Sequence, residues 1–119
     1  YVYAHATAPF ITVETMQRCI QAVNPENMIG VFASKIQDYL WKDGNPLNFD
    51  ATNVPRSQDL EPIYRETSGV YVFTKEVFQK YHRRIGVNPM VCEVSIKEAV
   101  DINNPEDFDL AVALASVDL

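Results

Sequence analysis

Asp101 and Asn103 stand two residues apart in the stretch EAVDINNPEDFDLA. In an extended segment such side chains point to the same side, and both present oxygen. A hard cation such as Mg2+ takes oxygen ligands, often one or two carboxylates completed by phosphates and water. The pair is therefore a candidate ion site. The competing reading is a turn feeding a helix, since Asp and Asn favour turns for local reasons. Asn104 suits the N-cap of that helix and Pro105 its first position, while Glu106 and Asp107 oppose the positive end of its dipole. Asn104 and Asp107 also have capping-box spacing. These roles leave Asp101 and Asn103 unexplained.

A second set of chemistry-bearing residues lies in PRSQDLEPIYRETSG. Arg56 and Arg65 carry forks that bind a carboxylate or phosphate through two parallel hydrogen bonds. Gln58 and Ser68 can read hydroxyls and amides, and Asp59 and Thr67 lie in the same loop. Such a loop suits a polyhydroxy acid, and equally a solvated surface with ordinary ion pairs. In HATAPF, His5 ends a strand, and Thr7 with the free amides of the turn can meet a ligand oxygen. A strand-end His is also commonly a hydrogen-bonded structural residue. The chain shows no activated Ser or Cys signature and no Gly-rich phosphate loop. Trp41 and Phe10 read as packing residues.

These side chains need a scaffold. YVYAH, 1–5, reads as a short strand with buried residues. Thr12 caps a helix over about 13–23, where Val13, Met16, Ile20 and Val23 form one apolar stripe and NPEN ends it. MIGVFAS, 28–34, reads as a buried strand. Asp43-Gly44 between apolar stretches signals a hairpin. The polar residues 50–66 read as a long loop, and GVYVF, 69–73, as a strand. Thr74 caps a helix with Val77, Phe78 and Tyr81 on its apolar face, ended by Gly86. MVCEVSI, 90–96, is the last strand. Residues 105–116 are the last helix, with Phe108, Ala111, Val112 and Ala115 on its buried side. The order β-α-β, hairpin, loop, β-α-β-α implies α/β layers. Ligands of open α/β sheets sit beyond the carboxyl ends of strands, which puts the candidate site at HATAPF, the 51–68 loop and DINN.

Bulk properties narrow the function classes. The 119 residues are 47% apolar and 22% charged, as in one compact domain or a piece of a larger one. The chain begins without Met inside what reads as a strand, which points to a missing N-terminal part. There is no run of about 18 apolar residues and no visible secretory signal, so no membrane role is expected. Net charge is −6. The only close basic pair, Arg83-Arg84, cannot line a phosphate backbone, and a nucleic-acid role is disfavoured. Cys19 and Cys92 match no metal spacing and read as buried, reduced thiols in a cytoplasmic protein.

Five stretches, in order, resemble the acylneuraminate cytidylyltransferase family, the CMP-sialic acid synthetases and their relatives. They are HATAPFIT, FASKIQDYLWKDGNPLNFD, PRSQDLEPIYRETSGVYVFTKEVF, RRIG and VCEVSIKEAVDINNPEDFDLA. The resemblance implies cytidylyl transfer from CTP to a nine-carbon 2-keto acid sugar of sialic-acid type, giving a CMP-sugar and pyrophosphate with Mg2+. It implies a Rossmann-like nucleotidyltransferase three-layer sheet, here its C-terminal half, within one partial domain over 1–119. A protruding β-hairpin arm and loop, 34–60, would serve a homodimer. Asp101 matches a metal-binding aspartate and Asn103 a position often held by a second one. Arg56 falls near the arginine that meets the sugar acid, with Gln58 and Ser68 in the same substrate-binding loop. His5 replaces a more usual Gln that contacts the sugar beside Thr7, and Gly69 matches a close-approach glycine. The family's CTP-binding loop has no counterpart in this chain, so no turnover is expected from it alone. The alternatives are a non-catalytic sugar-acid-binding or dimerisation module, and a nucleotidyltransferase for a different sugar.

Overall fold

The computed structural model describes residues 1–23, 29–82 and 89–118. The NPEN helix end, Arg83-Arg84 and Gly86 lie outside the described residues. In chain order the elements are β1 (Val2–Ala4), α1 (Val13–Ala22), β2 (Ile29–Ile36), β3 (Trp41–Lys42), β4 (Asn45–Pro46), a 3-10 turn (Ser57–Asp59), β5 (Ile63–Phe73), α2 (Lys75–Tyr81), β6 (Met90–Val94) and α3 (Pro105–Ala115). The chain divides into two compact units, one of residues 1–34 with 66–119 and one of residues 35–65.

The first unit is mixed α/β, around a sheet of order β1-β5-β2-β6. β1 runs antiparallel to β5, with Val2 opposite Val72, and β2 runs parallel to β6, with Gly30 opposite Met90. The two-residue period of β5 sends neighbouring side chains to opposite faces. Val70 and Val72 join Cys19, Phe32, Cys92 and Val94 in one core cluster, flanked by Met16 and Val23 of α1. Tyr71 packs with Val77 of α2, beside Phe73 and Tyr81. The two helices therefore cover opposite faces of β5. Thr12, Thr74 and Asn104 cap the three helices, each accepting from the backbone N–H three residues on, as their sequence positions imply.

The second unit is an irregular segment built on a small hairpin. Asp43 and Gly44 both take positive φ, 51° and 78°, the pair of left-handed residues that joins β3 to β4 in a primed turn. Side-chain amides tie the flanking chain. Asn48 accepts from the Leu40 N–H (2.9 Å) and donates to the Asp38 carbonyl (2.8 Å), and Gln37 donates to the Leu60 carbonyl (2.9 Å).

Several expectations change. Val2 and Tyr3 of β1 are half exposed rather than buried, because this strand lies at the sheet edge. The buried positions of α1 are Thr15 and Cys19, whereas Val13 (64% exposed) and Ile20 (47%) face away. Thr15 is admitted to the interior because its hydroxyl is bonded to that of Thr12, which offsets the cost of burying it. β5 starts at Ile63, so the last four residues of the supposed loop are strand; Ile63, Tyr64 and Thr67 are residues that favour a pleated surface. α2 stops at Tyr81, where His82 takes the left-handed conformation that Gly86 was expected to supply later. On α3 only Ala111 of the expected stripe is buried, and Phe108 and Val112 are mostly exposed.

Cys19 and Cys92 are joined as a disulfide, Cα atoms 5.9 Å apart, within the span such bonds need. This corrects the reading of two reduced thiols. The partners are 73 residues apart and meet only because α1 packs on β6, which no spacing rule reveals. Disulfides persist in oxidising compartments, so the bond lends the cytoplasmic expectation no support. Among the described residues, no helix is long and apolar enough to cross a membrane. Cys92→Ala is expected to lower stability by about 2–5 kcal/mol, measured by denaturant unfolding without reductant. Free-thiol labelling of the unfolded, unreduced wild-type chain would contradict the bond.

Candidate binding site beyond β1 and β6

The chain leaving β1 is held by bonds to two distant segments of the first unit. The His5 N–H donates to the Gly69 carbonyl at 2.8 Å, and the Ala8 N–H donates back to the His5 carbonyl at 3.2 Å to close the turn. A Cβ on Gly69 would come within 2.7 Å of the Ala8 Cβ, so only glycine lets this turn lie against β5 without a shift. On the other side, the Ile102 N–H donates to the Thr7 carbonyl at 2.9 Å.

A second tie lies five residues on. Glu98 accepts from the Thr12 N–H at 3.2 Å and the Thr12 hydroxyl at 2.9 Å, and its other oxygen accepts from the Ser95 N–H at 3.1 Å. The Glu98 N–H in turn donates to Ser95 Oγ at 3.2 Å. Burial opposes the Glu98 charge, but hydrogen bonds from Thr15, the Ser95 and Thr12 amides and the Thr12 hydroxyl outweigh it and hold its pKa below the ordinary value. Sequence reasoning missed Glu98 as a positioning residue. The signal was available, because Ser95-Ile96-Lys97-Glu98 has the S-x-x-E form of a capping box.

The segment after this tie carries Asp101 and Asn103. The Asn103 side-chain amide donates to Asp101 Oδ2 at 2.9 Å. A carboxylate only accepts, so the amide nitrogen must face it. The Asn103 backbone N–H donates to Asp107 Oδ2 at 2.9 Å, and the Asp107 N–H donates to Asn104 Oδ1 at 2.9 Å. The capping pair forms, but Asp107 reaches back to Asn103 rather than to the cap residue. Asp101 Oδ1 is out of contact with water and has no hydrogen-bond partner among the described residues. An unmet oxygen of this kind costs about 1–3 kcal/mol.

The other expected site residues fall as follows. His5 and Thr7 are exposed, and the His5 ring stands edge-on to Tyr3 with centroids 4.9 Å apart. The Ser68 side chain lies outside the described residues. Backbone bonds thus bring His5, Thr7, Gly69 and the Asp101–Asn103 segment into one neighbourhood. Arg56 and Gln58 belong to the second unit. There Arg56 is exposed and bonded to Asp59 through Nε at 2.7 Å, so an incoming carboxylate has to displace that partner. Among the described residues, no group of three or more His, Cys, Asp or Glu side chains is placed to hold a metal. A cavity of about 380 Å³ is lined by Arg18, Glu93, Val94, Ser95 and Glu98 and includes none of the expected site residues. No family model matches this chain, and no curated protein matches its sequence.

Two expectations follow from the ties. Gly69→Ala should destabilise by about 1–3 kcal/mol through overpacking and shift the amide resonances of residues 5–8; unchanged resonances would show that the close approach does not exist. A carboxyl with a lowered folded pKa contributes stability that is full above its ordinary value of ~4.3 and lost as pH falls through the folded value. Glu98→Gln should therefore lower Tm at pH 7, and the gap from wild type should close as pH falls through the folded value.

Proposed function

We propose that this chain holds the acidic sugar and the divalent ion in cytidylyl transfer from CTP to a sialic-type keto acid sugar. The observation that carries the reading is the unpartnered Asp101 oxygen, on a segment bonded through Ile102 to the Thr7 turn. The motifs PRSQDLEPIYRETSG and EAVDINNPEDF support it from the sequence side. On this reading the four-stranded mixed sheet is part of a Rossmann-like nucleotidyltransferase layer.

The residues present fit Mg2+. One carboxylate oxygen from the protein, with the remainder from substrate phosphates and water, is a common way to bind this ion. Asp101 is the residue that would hold it, and bound there it would offset phosphate charge while the anomeric hydroxyl displaces pyrophosphate from the α-phosphorus. His5, Thr7 and the amides of their turn bind and orient the sugar acid. Such transfer depends on positioning and electrostatics rather than on a protein nucleophile. No Gly-rich phosphate loop occurs among these residues, so the CTP phosphates have no cradle here.

The hairpin unit supplies the homodimer contact. Trp41, Leu47 and Val54 are mostly exposed, an apolar content that suits a covered surface.

Calorimetry with N-acetylneuraminate and Mg2+ is expected to show binding to this chain. Asp101→Asn should weaken the Mg2+-dependent part at least 10-fold, and equal affinity in both proteins would refute the assignment. The chain incubated with CTP, Mg2+ and the sugar is expected to release no pyrophosphate. Light scattering should report a dimer that Trp41→Asp converts to a monomer; a monomeric wild type removes the arm from the proposal.

A further inference from the structure

The Asp101 carboxylate has two oxygens in unlike situations. Oδ2 accepts from the Asn103 side-chain amide at 2.9 Å, while Oδ1 is buried and unpartnered. We infer that Asn103 is a positioning residue: it occupies one Asp101 oxygen so that the carboxylate can meet a cation through the other oxygen alone. This rests on the ion-binding reading above and departs from the expectation that Asn103 is itself a ligand. With its amide nitrogen turned to Asp101, Asn103 meets that carboxylate as a donor, the role of an outer partner rather than of a fellow ligand.

Asn103 is in turn fixed from behind. Its backbone N–H is held by Asp107 in the first turn of α3, and Asp107 is anchored through its own N–H to the Asn104 cap. Ile102, the residue between Asp101 and Asn103, donates to the Thr7 carbonyl. The four residues 101–104 are thus each restrained by a bond to a neighbour, and the Asp101 carboxylate has little freedom to turn its second oxygen toward a ligand. Outer partners of this kind orient a metal-binding side chain, and their loss typically costs 10–100-fold in affinity.

The arrangement selects among cations. Mg2+ and Mn2+ are small and take a carboxylate through one oxygen in strict octahedral geometry, whereas Ca2+ is larger and accepts two-oxygen carboxylate coordination and more ligands. Blocking Oδ2 disfavours Ca2+. An Asp at position 103 would free Oδ2, add a second carboxylate and favour the larger ion.

The test uses Mn2+ alone as a paramagnetic probe of the 15N-labelled chain, with Ca2+ as competitor. In wild type, Mn2+ is expected to broaden the amide signals of residues 101–104, and Asp101→Asn should abolish this. Asn103→Ala, at an exposed position, should weaken Mn2+ about 10-fold or more while leaving the rest of the spectrum unchanged. Asn103→Asp should improve the ability of Ca2+ to displace Mn2+ several-fold. No Asp101-dependent broadening in wild type would defeat the ion-binding reading itself. Asp101-dependent broadening that Asn103→Ala leaves at full affinity would overturn the positioning role and leave that reading intact.

Discussion

The candidate site depends on one physical constraint: the turn after β1 must be held against two chain segments far away in sequence. Three side-chain or backbone ties do this. His5 is bonded to Gly69, Thr7 to Ile102, and Thr12 to Glu98. Each satisfies polar groups that would be costly to strand in a partly buried loop. Each also fixes where the exposed His5 and Thr7 side chains begin. The Glu98 tie is reinforced because one carboxylate takes three donors from the two segments it joins, and charge-assisted bonds are stronger than neutral ones. The close approach at Gly69 sets the remaining wall of the turn.

The chemistry at Asp101 follows from that frame. The chain leaves β6, makes the Ser95–Glu98 turn, and enters α3 through a segment tied by backbone and side-chain bonds at Ala99, Val100, Ile102 and Asn103. Among the buried side-chain oxygens and nitrogens of the described residues, Asp101 Oδ1 is the one without a partner. Most of this protein's strongly acidic charge is spread among partners or solvent, and no dedicated multi-carboxylate cage forms among the described residues. One carboxylate oxygen with substrate phosphates and water is a common way to bind Mg2+, and the proposed site would work in that manner. The helix that follows contributes by anchoring Asn103 through Asp107, so helix capping and site geometry use the same residues.

Much of the scaffold was legible in the sequence because its signals are local. Thr12, Thr74 and Asn104 are caps by side-chain chemistry alone, and Asp43-Gly44 can hardly be anything but a tight turn. The alternation from strand to helix followed from spacing. What escaped was decided by tertiary packing. The buried face of α1 centres on Thr15 and Cys19 because Glu98 and Cys92 wait opposite them, and neither partner is near in sequence. The first half of β5 hides in a polar stretch because Tyr64, Arg65 and Glu66 are exposed along it. The apolar stripe expected on α3 is largely uncovered in this chain, a matter of neighbours rather than of periodicity. At the site, Asp101 and Asn103 stood out by type and spacing. Their unequal roles depend on which way one amide turns, which the sequence does not encode legibly.

The central claim is that Asp101 and the turn at His5 and Thr7 share one ligand, an acidic sugar with a divalent ion. Crystals soaked with Mn2+ and N-acetylneuraminate, measured at a wavelength where manganese scatters anomalously, test it most directly. The account predicts an anomalous peak about 2.1 Å from Asp101 Oδ1 with sugar density against the His5–Ala8 turn. A peak at the Glu93 and Glu98 cavity instead, or sugar bound far from that turn, would contradict it.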